Sequence, residues 1–126
     1  LLLDSHTLIW AVDDPGKLGN QASQSLQTAE NELLLSAATI WEIAIKVGLN
    51  KLSLTIAYQQ WMTQAIDDLG LQLLPITVKY ADEQIRLPNR HRDPFDRLLV
   101  AQAIVERVPI VSNDSSFDAY NVQRMW

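Results

Sequence analysis

With 126 residues, 48% of them hydrophobic, the chain has enough apolar material for a real core, and its length fits a single domain spanning 1–126. Fifteen Asp and Glu against ten Lys and Arg leave a net charge of -5, which excludes a general nucleic-acid coat protein held by phosphate contacts. Cysteine is absent, which excludes a disulfide framework and a thiolate metal site, and the default expectation is a cytoplasmic location.

The opening LLL reads as a short buried strand. Its apolar run is too short for a secretion signal, and no later run approaches the ~18 apolar residues of a membrane span, so a protein without a membrane partner is expected. SHTLIWAVDD (5–14) follows as a helix stopped by Pro15 and Gly16, NQASQSLQTAE (20–30) as a second helix, and ELLLS (32–36) as a second strand. SAATIWEIAIKV (36–47) has helical length and is apolar nearly all round, which predicts a central, well-covered helix ending at Gly48. An amphipathic helix over 55–70 closes on Gly70, then come a strand at 71–76 and a helix at 77–87. PFDRLLVAQAIVERV (94–108) is a strong helix, PIVS (109–112) a fourth strand and VQRMW (122–126) a fifth. Short apolar strands alternating with helices of ten or more residues predict an α/β fold whose parallel sheet is covered on both faces.

In such a sheet, ligands bind outside the carboxyl ends of the strands, and acids stand there. Asp4 directly follows LLL, Asp114 comes just after PIVS, and Asp96 lies in the first turn of the helix leading back into PIVS. Glu42 sits inside the apolar helix, on a polar line with Thr39 and Lys46. Each has a plainer reading. Asp4 and Asp114 suit helix N-caps, and Glu42 suits a surface pair with Lys46 four residues on. Asp93 before Pro94 reads as a cap, with Asp96 as its capping-box acid. If Asp4, Glu42, Asp96 and Asp114 converge, their repulsion calls for a cation, and an all-oxygen ligand set favours Mg²⁺ or Mn²⁺. Metal-dependent phosphodiester hydrolysis is the reaction class that such a site serves. His6 and His91 read as structural or solvent-facing residues.

Arg86, Arg90, Arg92 and Arg97 place four of the ten basic residues within one short segment. They form either a solvated loop or a basic lip beside the acids, where Arg90, Arg92 and Arg97 would meet an RNA backbone.

LLLDSHTLIWA, SAATIWEIAIK, HRDPFDRLLVAQA and VSNDSSF, in this order and at this spacing, resemble the PIN-domain family, and within it the VapC toxins of type II toxin–antitoxin systems. The resemblance runs through nearly the whole chain. It implies a three-layer α/β/α sandwich with a mainly parallel sheet and a Mg²⁺- or Mn²⁺-dependent endoribonuclease. The family acids fall on Asp4, Glu42, Asp96 and Asp114 as catalytic metal ligands, with Ser5, Asp93 and Ser112 as auxiliary residues. A cognate antitoxin protein and a homodimer are implied as partners beside the RNA substrate.

Two other classes compete. A receiver-like phosphoacceptor domain shares the length and alternation, but it needs a mid-chain Asp and a late Lys. This sequence has no Asp between Asp14 and Asp67 and no Lys after Lys79. The second is a catalytically inactive PIN-like module that binds a partner through exposed apolar surface, with Trp61 and Met62 as candidates.

Overall fold

A computed structural model describes residues 1–89 and 93–126. Among the described residues there are five strands: β1 (Leu2–Leu3), β2 (Leu34–Ser36), β3 (Gln72–Leu74), β4 (Ile110–Val111) and β5 (Arg124–Met125). They form one sheet in the order β3-β2-β1-β4-β5, and every pairing is parallel. The α-helices among the described residues are α1 (Ser5–Asp13), α2 (Asn20–Gln27), α3 (Ala37–Gly48), α4 (Tyr58–Leu69), α5 (Val78–Ile85) and α6 (Pro94–Glu106). A 3-10 helix at Ser115–Ala119 joins β4 to β5.

The period-two alternation of strand side chains divides the core in two. Leu3, Leu35 and Val111 point to one face, where they meet Leu8 and Ile9 of α1, Ala22 of α2, Ile43 of α3, and Trp61, Met62 and Ala65 of α4. Leu2, Leu34 and Ile110 point to the other, against Leu99, Val100 and Ala103 of α6 with Phe117 and Tyr120. The result is the expected three-layer α/β/α sandwich. Trp61 and Met62 are core residues, only 1% and 5% exposed, so they offer no surface to a partner.

The strands β1 and β2 begin later than the apolar runs that mark them but end where those runs end, at residues that lead directly into helix caps. Asp4 directly after β1 accepts from Thr7 N, and Ser36 at the end of β2 accepts from Ala38 N. Consecutive caps at the carboxyl edge fix where the chain turns out of the sheet. Helix α4 begins at Tyr58 and not at Thr55, whose hydroxyl and backbone N–H are both held by Asp13 across the fold. The same Asp13 accepts from Trp61 Nε1 at 2.9 Å, which satisfies the polar end of a buried indole.

The sheet grows from β1 outward in both directions, to β2 on one side and β4 on the other. Between β1 and β4 the winding reverses, and a crevice opens at their carboxyl ends. Asp4 and Ser112 leave the sheet there.

Helix α4 closes on Gly70 at φ 60°, a left-handed conformation that costs a side chain roughly 1–2 kcal/mol. Gly48, at the end of α3, lies outside that region and has open space where a Cβ would stand. Gly70→Ala should therefore lower the urea-unfolding free energy by about 1 kcal/mol, whereas Gly48→Ala should leave it unchanged or raise it by up to about 1 kcal/mol. Equal effects from the two substitutions would contradict the described backbone.

Candidate functional site

The crevice is a cleft of about 200 Å³ lined by Asp4, Ser5, His6, Glu42, Lys46, Asp93, Asp96 and Asp114. The four acids singled out in the sequence therefore do share one opening, together with Asp93. Ser112 is fully buried behind them. Arg90, Arg92 and His91 lie outside the described residues. Arg97 donates to the carbonyls of Pro88 (2.9 Å), Gln84 (3.0 Å) and Leu87 (3.4 Å), so its guanidinium ties the end of α5 to the start of α6 and does not line the cleft.

Asp4, Glu42, Asp93 and Asp114 are each held by their own donors. Asp4, 6% exposed, caps α1 by accepting from Thr7 N at 2.7 Å, and its second oxygen accepts a short bond from the Ser112 hydroxyl. Ser112 Oγ in turn accepts from Asp114 N at 3.0 Å, so one hydroxyl couples the acids after β1 and β4. Asp114 Oδ1 takes the N–H and hydroxyl of Ser116 at 2.9 and 2.6 Å. Asp93 caps α6 through Phe95 N at 2.9 Å. Glu42, buried on α3, receives Lys46 Nζ at 3.1 Å from Oε2. The Glu42–Lys46 pair is thus both a helical i,i+4 pair and part of a polar cavity.

Asp96 registers the crowding. Its carboxyl is pushed up to about 7, first by burial, then by the negative charges of Asp93, Glu42, Asp114 and Asp4.

Among the described residues, no group of three or more His, Cys, Asp or Glu side chains is disposed to hold a metal ion. This overturns the expectation of a Mg²⁺ or Mn²⁺ centre at Asp4, Glu42, Asp96 and Asp114. The expectation of a metal-dependent endoribonuclease falls with it. The physical reason lies in where the donors point: Asp4 toward Thr7 and Ser112, Asp114 toward Ser116, and Glu42 toward a lysine ammonium. A shared cleft is not a shared ligand sphere, because coordination at ~2.0–2.1 Å needs several oxygens aimed at one point.

Two features of this region escaped the sequence. Trp41, on a helix expected to be covered all round, is 63% exposed and meets Phe95 edge-to-face with ring centroids 5.9 Å apart. Lys46 lines the cleft while its side chain stays 37% exposed; the four-residue spacing from Glu42 was the one available signal, and it does not reveal the cleft.

The chain matches the PIN domain family model over residues 1–123. It is 31% identical over 115 residues to Ribonuclease VapC22 of Mycobacterium tuberculosis, covering 90% of this chain and 86% of that protein. In fold it is similar to a chain of the VapBC2 structure from Rickettsia felis bound to a promoter DNA fragment, at TM-score 0.71 and 15% identity, covering 99% of this chain and 98% of that one. FitAcB from Neisseria gonorrhoeae gives TM-score 0.69 at 18% identity, with 98% and 94% covered. A toxin–antitoxin complex from Klebsiella pneumoniae gives TM-score 0.58 at 20% identity, with 90% and 86% covered.

A carboxyl raised above its unfolded value binds more protons in the folded state, so its contribution to stability falls as pH rises from about 4 through about 7. Asp96→Asn removes that penalty. Thermal unfolding should show the variant more stable than the wild type at pH 8, with the difference vanishing near pH 4. A pH-independent difference would contradict the described crowding.

Proposed function

This chain belongs to the PIN-domain family, and we propose that it serves as a catalytically idle PIN-like interaction module, the PIN-fold partner of a cognate antitoxin protein. The observation that carries the reading is the pairing of an acidic cleft, four of whose five carboxylates are turned to internal donors, with the exposed Trp41, which meets the half-buried Phe95 beside it. Trp41 precedes Glu42 on α3 and Phe95 precedes Asp96 on α6, so the apolar pair and the cleft belong to the same two helices. Exposed aromatic anchors flanked by charge are the usual centre of a protein interface. A partner suited to this surface brings an apolar side chain for Trp41 and basic residues for the cleft.

Similar chains give further support. Those from R. felis and K. pneumoniae are described, respectively, as part of VapBC2 and of a toxin–antitoxin complex. Val78 and Ile85, a full two turns apart on α5 and 87% and 75% exposed, offer an apolar face for a second copy of the chain, and a homodimer is part of the same reading. No helix among the described residues is long and apolar enough to cross a membrane, which accords with complex assembly in the cytoplasm.

Calorimetric titration with a cognate antitoxin protein tests the reading. A stoichiometric complex is expected, weakened at least about tenfold by Trp41→Ala, in the range of an interface hot spot. Absence of a complex, or full affinity in Trp41→Ala, would overturn it.

A further inference from the structure

We propose that the cavity between the carboxyl end of α6 and the approach to β5 is a binding site for a small aliphatic carboxylate, held by the Arg107 guanidinium. It lies at the amino ends of β4 and β5, the opposite edge of the sheet from the acidic cleft, and it stands apart from the partner reading.

The cavity measures about 290 Å³, larger than the cleft. Ile104, Val108 and Val122 pack against the core on the α6 face and, with Pro109, give the cavity aliphatic walls. Among the described residues that line it there is no aromatic ring and no carboxylate, and Arg107 is the one charge. Asn121 and Gln123, both exposed, add amide groups that can hydrogen-bond a ligand.

Arg107 is not explained by the fold around it. It closes α6 at φ 57° and ψ 47°, the left-handed conformation that favours glycine, with its backbone N–H on the carbonyls of Ala103 and Ile104. Glycine would serve that turn at less cost, so the turn does not call for an arginine. Nor does an ion pair: the adjacent Glu106 accepts from the Tyr80 hydroxyl at 3.0 Å, and no carboxylate among the described residues pairs with the Arg107 guanidinium. A cation also suits the negative end of a helix dipole, which accounts for a charge there but not for the apolar cavity beside it.

The chemistry of the walls selects the ligand. A guanidinium keeps its charge at physiological pH and its fork matches a planar carboxylate bidentately, so the ligand has an anionic head. Aliphatic walls call for an aliphatic tail. A volume of 290 Å³ is the share of roughly ten waters, which suits about eight non-hydrogen atoms and excludes a nucleotide.

Nuclear magnetic resonance titration of the wild-type chain with isocaproate tests the site. Saturable shifts are expected at Arg107, Val108 and Val122, with a dissociation constant of about 1 mM or below, the range open to so small a ligand. Uncharged isocaproamide and tail-less acetate should each bind at least about tenfold more weakly. Arg107→Gly suits the left-handed backbone and removes the cation, so it should fold as the wild type does and lose the isocaproate shifts. Arg107→Gln, which keeps the strained backbone and much of the side-chain stem, should lose them as well. Acetyl-leucine carries the same head and branched tail in the form of a chain end. Binding of either acid at these residues supports the site, and the tighter of the two tells a free acid from a protein terminus. No saturable shift there with either acid, equal affinity for the amide, or undiminished binding in both Arg107 variants overturns the proposal.

Discussion

The carboxylate of Asp4 ties together the two strands between which the winding of the sheet reverses. One oxygen receives Thr7 N and starts α1; the other receives the hydroxyl of Ser112, which follows β4. Thr7 completes the closure by donating its hydroxyl to the carbonyl of Val111 at 2.7 Å. All of these groups are buried, so leaving any of them unpaired costs roughly 1–3 kcal/mol. The position of α1, the register of β1 against β4 and the shape of the cleft all depend on this knot. Ser112 carries it one step further by fixing the backbone of Asp114.

That constraint also explains how five carboxylates coexist in one small opening. A carboxylate that accepts backbone N–H or hydroxyl donors is stabilised locally and has less need of a cation. Asp4, Asp93 and Asp114 are all stabilised in this way as caps, and Glu42 by a lysine on its own helix. On Asp96, burial first and then the repulsion of the other four acids push the carboxyl up to about 7. The same residue types that would build a metal centre thus build a polar seam at the sheet edge instead. What separates the two outcomes is orientation, not composition.

Contacts between residues far apart in the chain were the part that the sequence could not supply. Apolar runs separated by helical periods gave the α/β alternation, and the quoted motifs gave the family. Pro94 behind Asp93 marked a helix start, and Asp93 indeed caps α6. Even the gathering of Asp4, Glu42, Asp96 and Asp114 was legible, because Asp4 and Asp114 follow strands and Glu42 and Asp96 lie in the opening turns of helices near the same edge. The local donors were legible too, as the cap readings of Asp4, Asp93 and Asp114 and the four-residue spacing of Glu42 and Lys46; the bond from Ser112 to Asp4 spans 108 residues, and no local pattern encodes that. The link from Asp13 to Thr55 and Trp61 was invisible for the same reason. Trp41 misled because an apolar residue on an apolar helix reads as core, although a folded surface always retains apolar area.

The account rests on the claim that the acids of the cleft are satisfied from within the protein. Titrating the wild-type chain with Mn²⁺ while following the electron paramagnetic resonance of the free ion tests this most directly. The account predicts that the free-ion signal tracks added Mn²⁺ through the millimolar range, just as in buffer alone. Stoichiometric loss of that signal, abolished by Asp96→Asn with the fold intact, would contradict it and return the cleft to metal chemistry.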